Sequence, residues 1–401
     1  MKNHVTSKYS SADPASSKEA SKNVSLMTSQ TVPQIETAPK LSDEDYAGLE
    51  KDLDALKEAT WAKVGQEDAD YIRRMIRIER WSGIAGRITM VLGFFHPLFW
   101  VAGVALLALS KILNNMEVGH NVLHGQYDWM NDPYINSKTF DWNIVGDTDS
   151  WKQVHNYEHH TYTNIIGKDR DFGYGLLRLS NDLPWRLKNT WQIFTYAILS
   201  LLFEWGVAYH ELAGDRAFSK KTPGKNRRPR LTKAGIRKAF FSKAGRQIFK
   251  DYIFFPIISG PMFLPVLLGN LLANLIRNLW TSTVIFCGHF TEDIHTFKEE
   301  DCKNETKGQW YYRQMLGSSN FEGKRWFHIL SGHLSCQIEH HLFPDIPAHR
   351  YVDMAPKVRE IASKYGIPYN TGSFGAQYLT VLKRIFKYSF PEKPSPAVTV
   401  S

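Results

Sequence analysis

Cysteine is nearly missing: Cys287, Cys302 and Cys336 are the only three in 401 residues. So sparse and odd a set excludes a disulfide framework and fits a reducing compartment. Their spacing makes no zinc motif, and Cys287 and Cys336 read as small buried apolar side chains. The amino terminus lacks the compact apolar stretch of a secretory signal. Residues 1–45 are rich in Ser, Lys, Thr and Pro and read as a disordered tail; 391–401 read as a short carboxyl-terminal tail. No internal repeat is evident. No Gly-rich loop opens a helix after a strand, so no nucleotide site is expected. The net charge of +9 has no recognisable nucleic-acid-binding module behind it.

What is present is apolar sequence gathered into a few tracts. From Asp43 to about Ile84 the pattern is charged and helical, with Leu49, Leu53 and Leu56 at helical spacing, an amphipathic approach to a membrane. Residues 84–113 form a long apolar tract divided at His96-Pro97. Two spans there would be short, yet a tight hairpin turning near Phe95 to Leu98 is the better fit. Residues 252–268 and 271–287, joined at Gly269-Asn270, read as a second hairpin. The tract 190–213 is interrupted by Glu204 and His210. After it comes a basic run from Arg216 to Lys250, which marks a cytoplasmic side. If 190–213 crossed the membrane, this loop and the preceding histidines would face opposite compartments. It is therefore expected to lie in the interface or to dip in and return. The fold expected is all-α integral membrane: four transmembrane helices in two hairpins, an interfacial helix, and a cytosolic helical cap over about 290–401.

The chemistry lies in the histidines. His120 and His124 stand at i and i+4, so both rings can reach one metal from one helix face. His155 and His159 repeat that spacing, and the adjacent His160 diverges enough to reach a second ion. The pair His340 and His341, preceded by Gln337 and Glu339, could split between two ions in the same manner. His289, at the end of the last apolar tract, is a further candidate ligand, and His333 a weaker one. His4, His96, His210, His295, His328 and His349 read as structural or incidental. Imidazole suits zinc, copper, iron or nickel. Eight candidate histidines are too many for one ion and enough for two, and zinc has no redox chemistry.

Three histidine boxes, His120 to His124, His155 to His160 and Gln337 to His341, resemble those of the membrane-bound fatty-acid desaturases. Gln337 stands where some members carry His, which suggests a role through water. The segments Glu117 to His120, Trp129 to Pro133, Phe286 to Phe290 and Thr371 to Phe374 are most similar to bacterial NADPH-dependent stearoyl-CoA 9-desaturases. The resemblance runs over roughly 45 to 390, so 46–390 is expected to be one desaturase domain. It implies four spans, a cytosolic di-iron site with His289 as an extra ligand, and a tunnel for the acyl chain. It implies oxygen as co-substrate and a cis double bond introduced into a long-chain acyl group, carried on CoA or on a lipid. Some relatives carry a fused cytochrome domain with His-Pro-Gly-Gly; that motif is absent, so a separate reductase or ferredoxin is expected to supply electrons and to bind NADPH. The catalytic face would be cytoplasmic, at a bacterial inner membrane. Rival readings are a di-iron lipid or alkane hydroxylase, and a metal-binding receptor or transporter without redox turnover.

Overall fold

The computed structural model describes residues 39–212 and 233–391. The tails before and after, His4, and the basic residues Arg216, Lys220, Lys221, Lys225, Arg227, Arg228 and Arg230 lie outside the described residues.

Helix α1 (Asp43–Trp61) starts where Ser42 caps it: the Ser42 hydroxyl accepts from Asp45 N at 3.1 Å, and the Asp45 carboxylate accepts from Ser42 N at 3.2 Å. Leu49, Leu53 and Leu56 fall on one face and are buried against Tyr311, Met315, Tyr351 and Val358. Each fully buried Leu contributes roughly 1.5–3 kcal/mol, so this amphipathic helix is fastened to the polar carboxyl-terminal region.

Helix α2 (Gln66–Leu92) and helix α3 (Pro97–Leu123) form a tight antiparallel hairpin. His96 terminates the turn by accepting from Leu98 N at 3.2 Å, and Pro97 opens α3 where a missing N–H costs nothing. The helices touch through glycine: a Cβ on Gly103 would lie 2.4 Å from Met90 N, and one on Gly86 2.7 Å from Leu107 N. The last part of α3, Asn114–His120, winds as a π-helix before resuming α geometry over Asn121–Leu123. A second π stretch, Lys152–His159, lies in α4 between the short α pieces Thr148–Trp151 and His160–Tyr162. Such wide turns concentrate at functional sites.

Helices α5 (Gln192–Leu201) and α6 (Phe203–Glu211) replace the single interfacial helix expected over 190–213. The chain bends by 96° between Leu187–Leu201 and Phe203–Glu211. Helix α7 (Lys233–Ile248) continues through a π stretch, Phe249–Phe254, and a short helix, Phe255–Ile258. Helix α8 (Phe263–His289) then returns. The expected turn at Gly269-Asn270 is not there: both residues lie inside α8, and the chain breaks at Ser259-Gly260, where Gly260 adopts φ +58. Gly269 sits against Met90, and Asn270 donates to the Asp251 carbonyl at 2.7 Å, so these two residues serve packing between helices.

Among the described residues, two helical runs, Pro97–Leu123 and Gly260–His289, are long and apolar enough to cross a membrane, and the bent pair would be a third. The carboxyl-terminal region contains α9 (Lys307–Leu316), α10 (Gln337–Leu342), α11 (Tyr351–Lys364) and α12 (Phe374–Lys387). It is not wholly helical: strand β1 (Asn320–Glu322) pairs in parallel with β2 (Thr371–Ser373), tying the approach to α10 to the start of α12.

Candidate metal centre

The histidines come from four places in the chain. The end of α3 carries His120 and His124, α4 carries His155, His159 and His160, the end of α8 carries His289, and α10 carries His340 and His341. Ligand atoms of His120, His124, His155 and His340 lie within 4.8 Å of one another, and those of His159, His289 and His341 form a second such group. His155 and His159, expected on one metal from their spacing, fall into different groups, although their rings stack 5.1 Å apart. The π winding of Lys152–His159 offsets i and i+4 from the α register that the spacing argument assumed. His340 enters the first group and His341 the second. His160 belongs to neither compact group; its ring lies between them, stacked on His341 at 4.4 Å and 4.8 Å from His340.

In four of the histidines the outer ring nitrogen is held by protein. His155 Nδ1 lies 3.1 Å from Asp171, His159 Nδ1 3.0 Å from Asp169, and His120 Nδ1 3.1 Å from Asn121 Oδ1. His341 Nδ1 lies 2.9 Å from Gln314 Oε1. Each acceptor selects the tautomer with Nδ1–H outward, turning Nε2 inward as a lone-pair donor. Asp169 is itself fixed by the backbone N–H groups of Asn164 at 2.8 Å and Asp171 at 2.9 Å. His210 Nε2 stands 3.3 Å from Asp171.

The inner nitrogens are orphans. Nε2 of His120, His124, His155 and His159, and both nitrogens of His160 and His340, are buried without a protein partner. Leaving so many polar atoms unpaired costs 1–3 kcal/mol apiece, unless something other than protein takes their lone pairs. A pair of metal ions fits this donor set. Burial, reinforced by neighbouring imidazoles, holds His124, His160, His340 and His341 well below the ordinary histidine range. They are therefore neutral, the form that ligates. Burial also lowers His155, with Asp171 opposing it. His159 differs: burial works against its charge, but Asp169 outweighs burial and raises it.

Gln337 and His333 part company. Gln337 Nε2 lies 2.9 Å from His289 Nε2, and its buried Oε1 has no partner, so its amide borders the second group. His333 joins neither group: its Nδ1 is 3.0 Å from Glu117, which also accepts from the Tyr71 hydroxyl at 2.6 Å. Of the remaining histidines, His349 stacks on Tyr71 at 4.1 Å and lies 3.1 Å from Asp68, and His328 lies 2.7 Å from the Ser335 hydroxyl.

Sequence reasoning missed the residues behind the ligands: Asp169, Asp171, Gln314 and Asn121, with His210 set aside as incidental. The acid pair Asp169-Arg170-Asp171, nine to eleven residues past the second box, is the one local signal that could have found them. Glu339, between Ile338 and His340, is also buried; burial pushes it up to about 7 against hydrogen bonds from Tyr369 and Asn320.

A narrow cavity opens beside both groups, touching His120, His155, His159 and His289, with apolar walls that include Met116, Ile144, Phe203 and Phe290.

The family model described as fatty acid desaturase matches residues 75–373. The NADPH-dependent stearoyl-CoA 9-desaturase of Mycobacterium tuberculosis is 41% identical over 366 residues, covering 90% of this chain and 84% of that protein. The sn-1 linoleoyl-lipid 6-desaturase of a Synechocystis species is 24% identical, covering 83% of this chain and 93% of that one. The Delta(5) fatty acid desaturase A of Dictyostelium discoideum is 26% identical over 66% of this chain and 57% of that one. With a match that takes in all three histidine boxes, this chain belongs to the fatty acid desaturase family and is a desaturase enzyme.

Proposed function

We propose that this chain introduces a cis double bond at carbon 9 of a long-chain acyl-CoA, using a di-iron centre, oxygen and electrons from a separate NADPH-linked reductase or ferredoxin. The observation that carries the metal reading is the two imidazole groups, with Nε2 of His120, His124, His155, His159 and His340 buried and unpartnered. The substrate and regiochemistry rest on the 41% identity to a protein named as a stearoyl-CoA 9-desaturase. His120, His124, His155 and His340 would hold one ion; His159, His289 and His341 would hold the other, with His160 completing either set and Gln337 contributing directly or through water.

Two redox-active irons held by these histidines would supply the oxygen chemistry that desaturation needs. The protein's own part is geometric. Asp171, Asp169 and Gln314 keep the Nδ1 protons of His155, His159 and His341 on the outer side. Met116, Ile144, Phe203 and Phe290 line a slot where an acyl chain excludes water beside the histidines. An apolar substrate explains why the site stands at the ends of apolar helices. We read the fold as four spans in two hairpins, the first over about 84–113 and the second over about 252–287, with the histidine face cytoplasmic and the membrane the bacterial inner membrane. Support comes from the antiparallel arrangement of α2 with α3, and from the contacts of Asp251 and Tyr252 with Asn270 and Asn274 in α8.

The test is expression in a host of known lipid composition, with fatty-acid profiling. A new monounsaturated acid that vanishes in His159→Ala is expected. New alcohols without new alkenes would instead establish the hydroxylase, and metal binding without oxygen uptake would establish a protein with no redox turnover.

A further inference from the structure

Away from the histidines, α2, α3 and the 249–258 arm bury charge that their own residues do not balance. The Asp251 carboxylate meets Lys111 Nζ at 2.6 Å, Arg87 at 3.2 Å and Lys250 Nζ at 3.8 Å. Three cations share one carboxylate, leaving two positive charges over. Asp251 also takes hydrogen bonds from Gln247 at 3.1 Å and Asn274 at 3.4 Å, so its lone pairs are well used. Nearby Glu79 is engaged by Ser110 at 3.3 Å and Asn114 at 3.4 Å, and exposed Arg80 offsets its charge. Lys111 lies fourteen residues past Pro97, roughly 21 Å along the helix, on the side of the apolar layer nearer the histidines. Uncompensated cations at such a depth are costly.

Of the cations, Arg80, Arg87 and Lys111 line a crevice of about 460 Å³ whose walls also include Glu79 and Asn143. It shares Arg87, Ile88 and Phe255 with a second cavity of about 390 Å³, whose remaining walls are mainly apolar: Val91, Leu92, Ile258 and Val266. The outward residues Ile84, Ile88 and Ile258 are 48%, 58% and 61% exposed, a surface suited to lipid. None of the residues lining either cavity lines the slot beside the histidines.

We propose that this joined cavity binds one anionic phospholipid, its phosphodiester seated between Arg80, Arg87 and Lys111 and one acyl chain lying along Val91, Leu92 and Ile258. The phosphodiester supplies one of the two missing negative charges, and the apolar lane selects a lipid over a free anion. Bound there, the lipid bridges α2 to the arm that precedes α8 and stabilises their contact without entering the reaction.

Lipid-depleted enzyme in a neutral detergent is titrated with phosphatidylglycerol, phosphatidylcholine or inorganic phosphate, reading thermal unfolding and the lipid retained in native mass spectrometry. Phosphatidylglycerol is expected to raise the unfolding temperature saturably and to be retained at one copy per chain; the other two are expected to do neither. Arg80→Gln, on the exposed face, should weaken retention about fivefold, and Arg80→Gln with Arg87→Gln about 25-fold, each cation contributing a comparable factor. Equal effects of phosphatidylcholine, reproduction by inorganic phosphate, or retention unchanged in Arg80→Gln would overturn the proposal. Arg80→Gln alone decides if the double variant does not fold. Because no reductant or acyl-CoA is supplied and no turnover is read, and because Arg80 lies away from the slot beside the histidines, the result is independent of whether the desaturase reading of the substrate holds.

Discussion

Asp169 and Asp171 each act on the candidate metal centre through a histidine. Each carboxylate accepts from the outer nitrogen of one α4 histidine, His159 at 3.0 Å and His155 at 3.1 Å, and those two histidines fall into different groups. Asparagine at either place keeps an acceptor oxygen but removes the charge and offers an amide N–H that can turn toward the ring. Asp169→Asn and Asp171→Asn are each expected to lower iron affinity or desaturation roughly 10–100-fold, as outer-sphere partners of ligating histidines do. Iron per chain, measured separately from fatty-acid product, checks this. Full iron loading with full activity in both variants would show that the carboxylates merely fill space. The clustered histidines were legible because i, i+4 pairs and adjacent pairs are local patterns. Their partners were not: Gln314 reaches His341 from α9 across 27 residues of sequence, and only folding brings it there.

At the scale of the element, the α2–α3 hairpin rests on two glycine contacts. A valine at Gly103 would drive its Cβ to within 2.4 Å of the Met90 backbone nitrogen, which has no freedom to withdraw inside a helix. Gly103→Val is therefore expected to cost at least 1–3 kcal/mol, the range for overpacking, read as a lowered unfolding temperature in detergent. Gly245→Ala, where a Cβ meets nothing within 4 Å in α7, is the control and should be neutral or slightly stabilising. Equal behaviour of the two variants would mean that the hairpin contact is loose. The two hairpins also show where apolar patterning misleads. The first turn was readable because His96-Pro97 combines a capping side chain with a residue suited to a helix start. The second was placed ten residues late, at Gly269-Asn270, because a small residue beside a polar one resembles a turn. Those residues serve instead as the close-approach surface for Met90 and the donor to the Asp251 carbonyl. The true break, Ser259-Gly260-Pro261, carries a turn signal of its own, Gly followed by Pro, which the apolar residues on either side outweighed in the reading of the tract. The π stretches were hidden, since nothing in the spacing of His155 and His159 separates an α from a π register.

Across the whole molecule, the amino-terminal helices are tied to the carboxyl-terminal region by acids on one side and bases on the other. Asp52 accepts from Lys364 at 2.6 Å, Asp54 from Lys307 and Tyr311 at 2.6 Å each, and Asp68 from Arg350 at 2.6 Å with His349 at 3.1 Å. All three carboxyls are held below the usual range. For Asp52 the hydrogen bond from Lys364 leads; for Asp54 and Asp68 burial opposes ionisation, but their partners outweigh it. A carboxyl whose folded-state value is depressed stabilises the fold above its unfolded value, about 4, and that contribution fades as pH falls toward the folded value. The unfolding temperature is thus expected to change little between pH 7 and about 5, as far as these carboxyls govern it, and to fall steeply below about 4. Asp68 should dominate, because it is fully buried and bridges α2 to the segment before α11, whereas the Lys364 and Lys307 partners are exposed and screened by solvent. In Asp68→Asn the enzyme should be less stable at pH 7 and should lose less on acidification, so the two profiles draw together progressively below about pH 4. Parallel profiles, separated by the same amount at every pH, would place the acid sensitivity elsewhere in the chain.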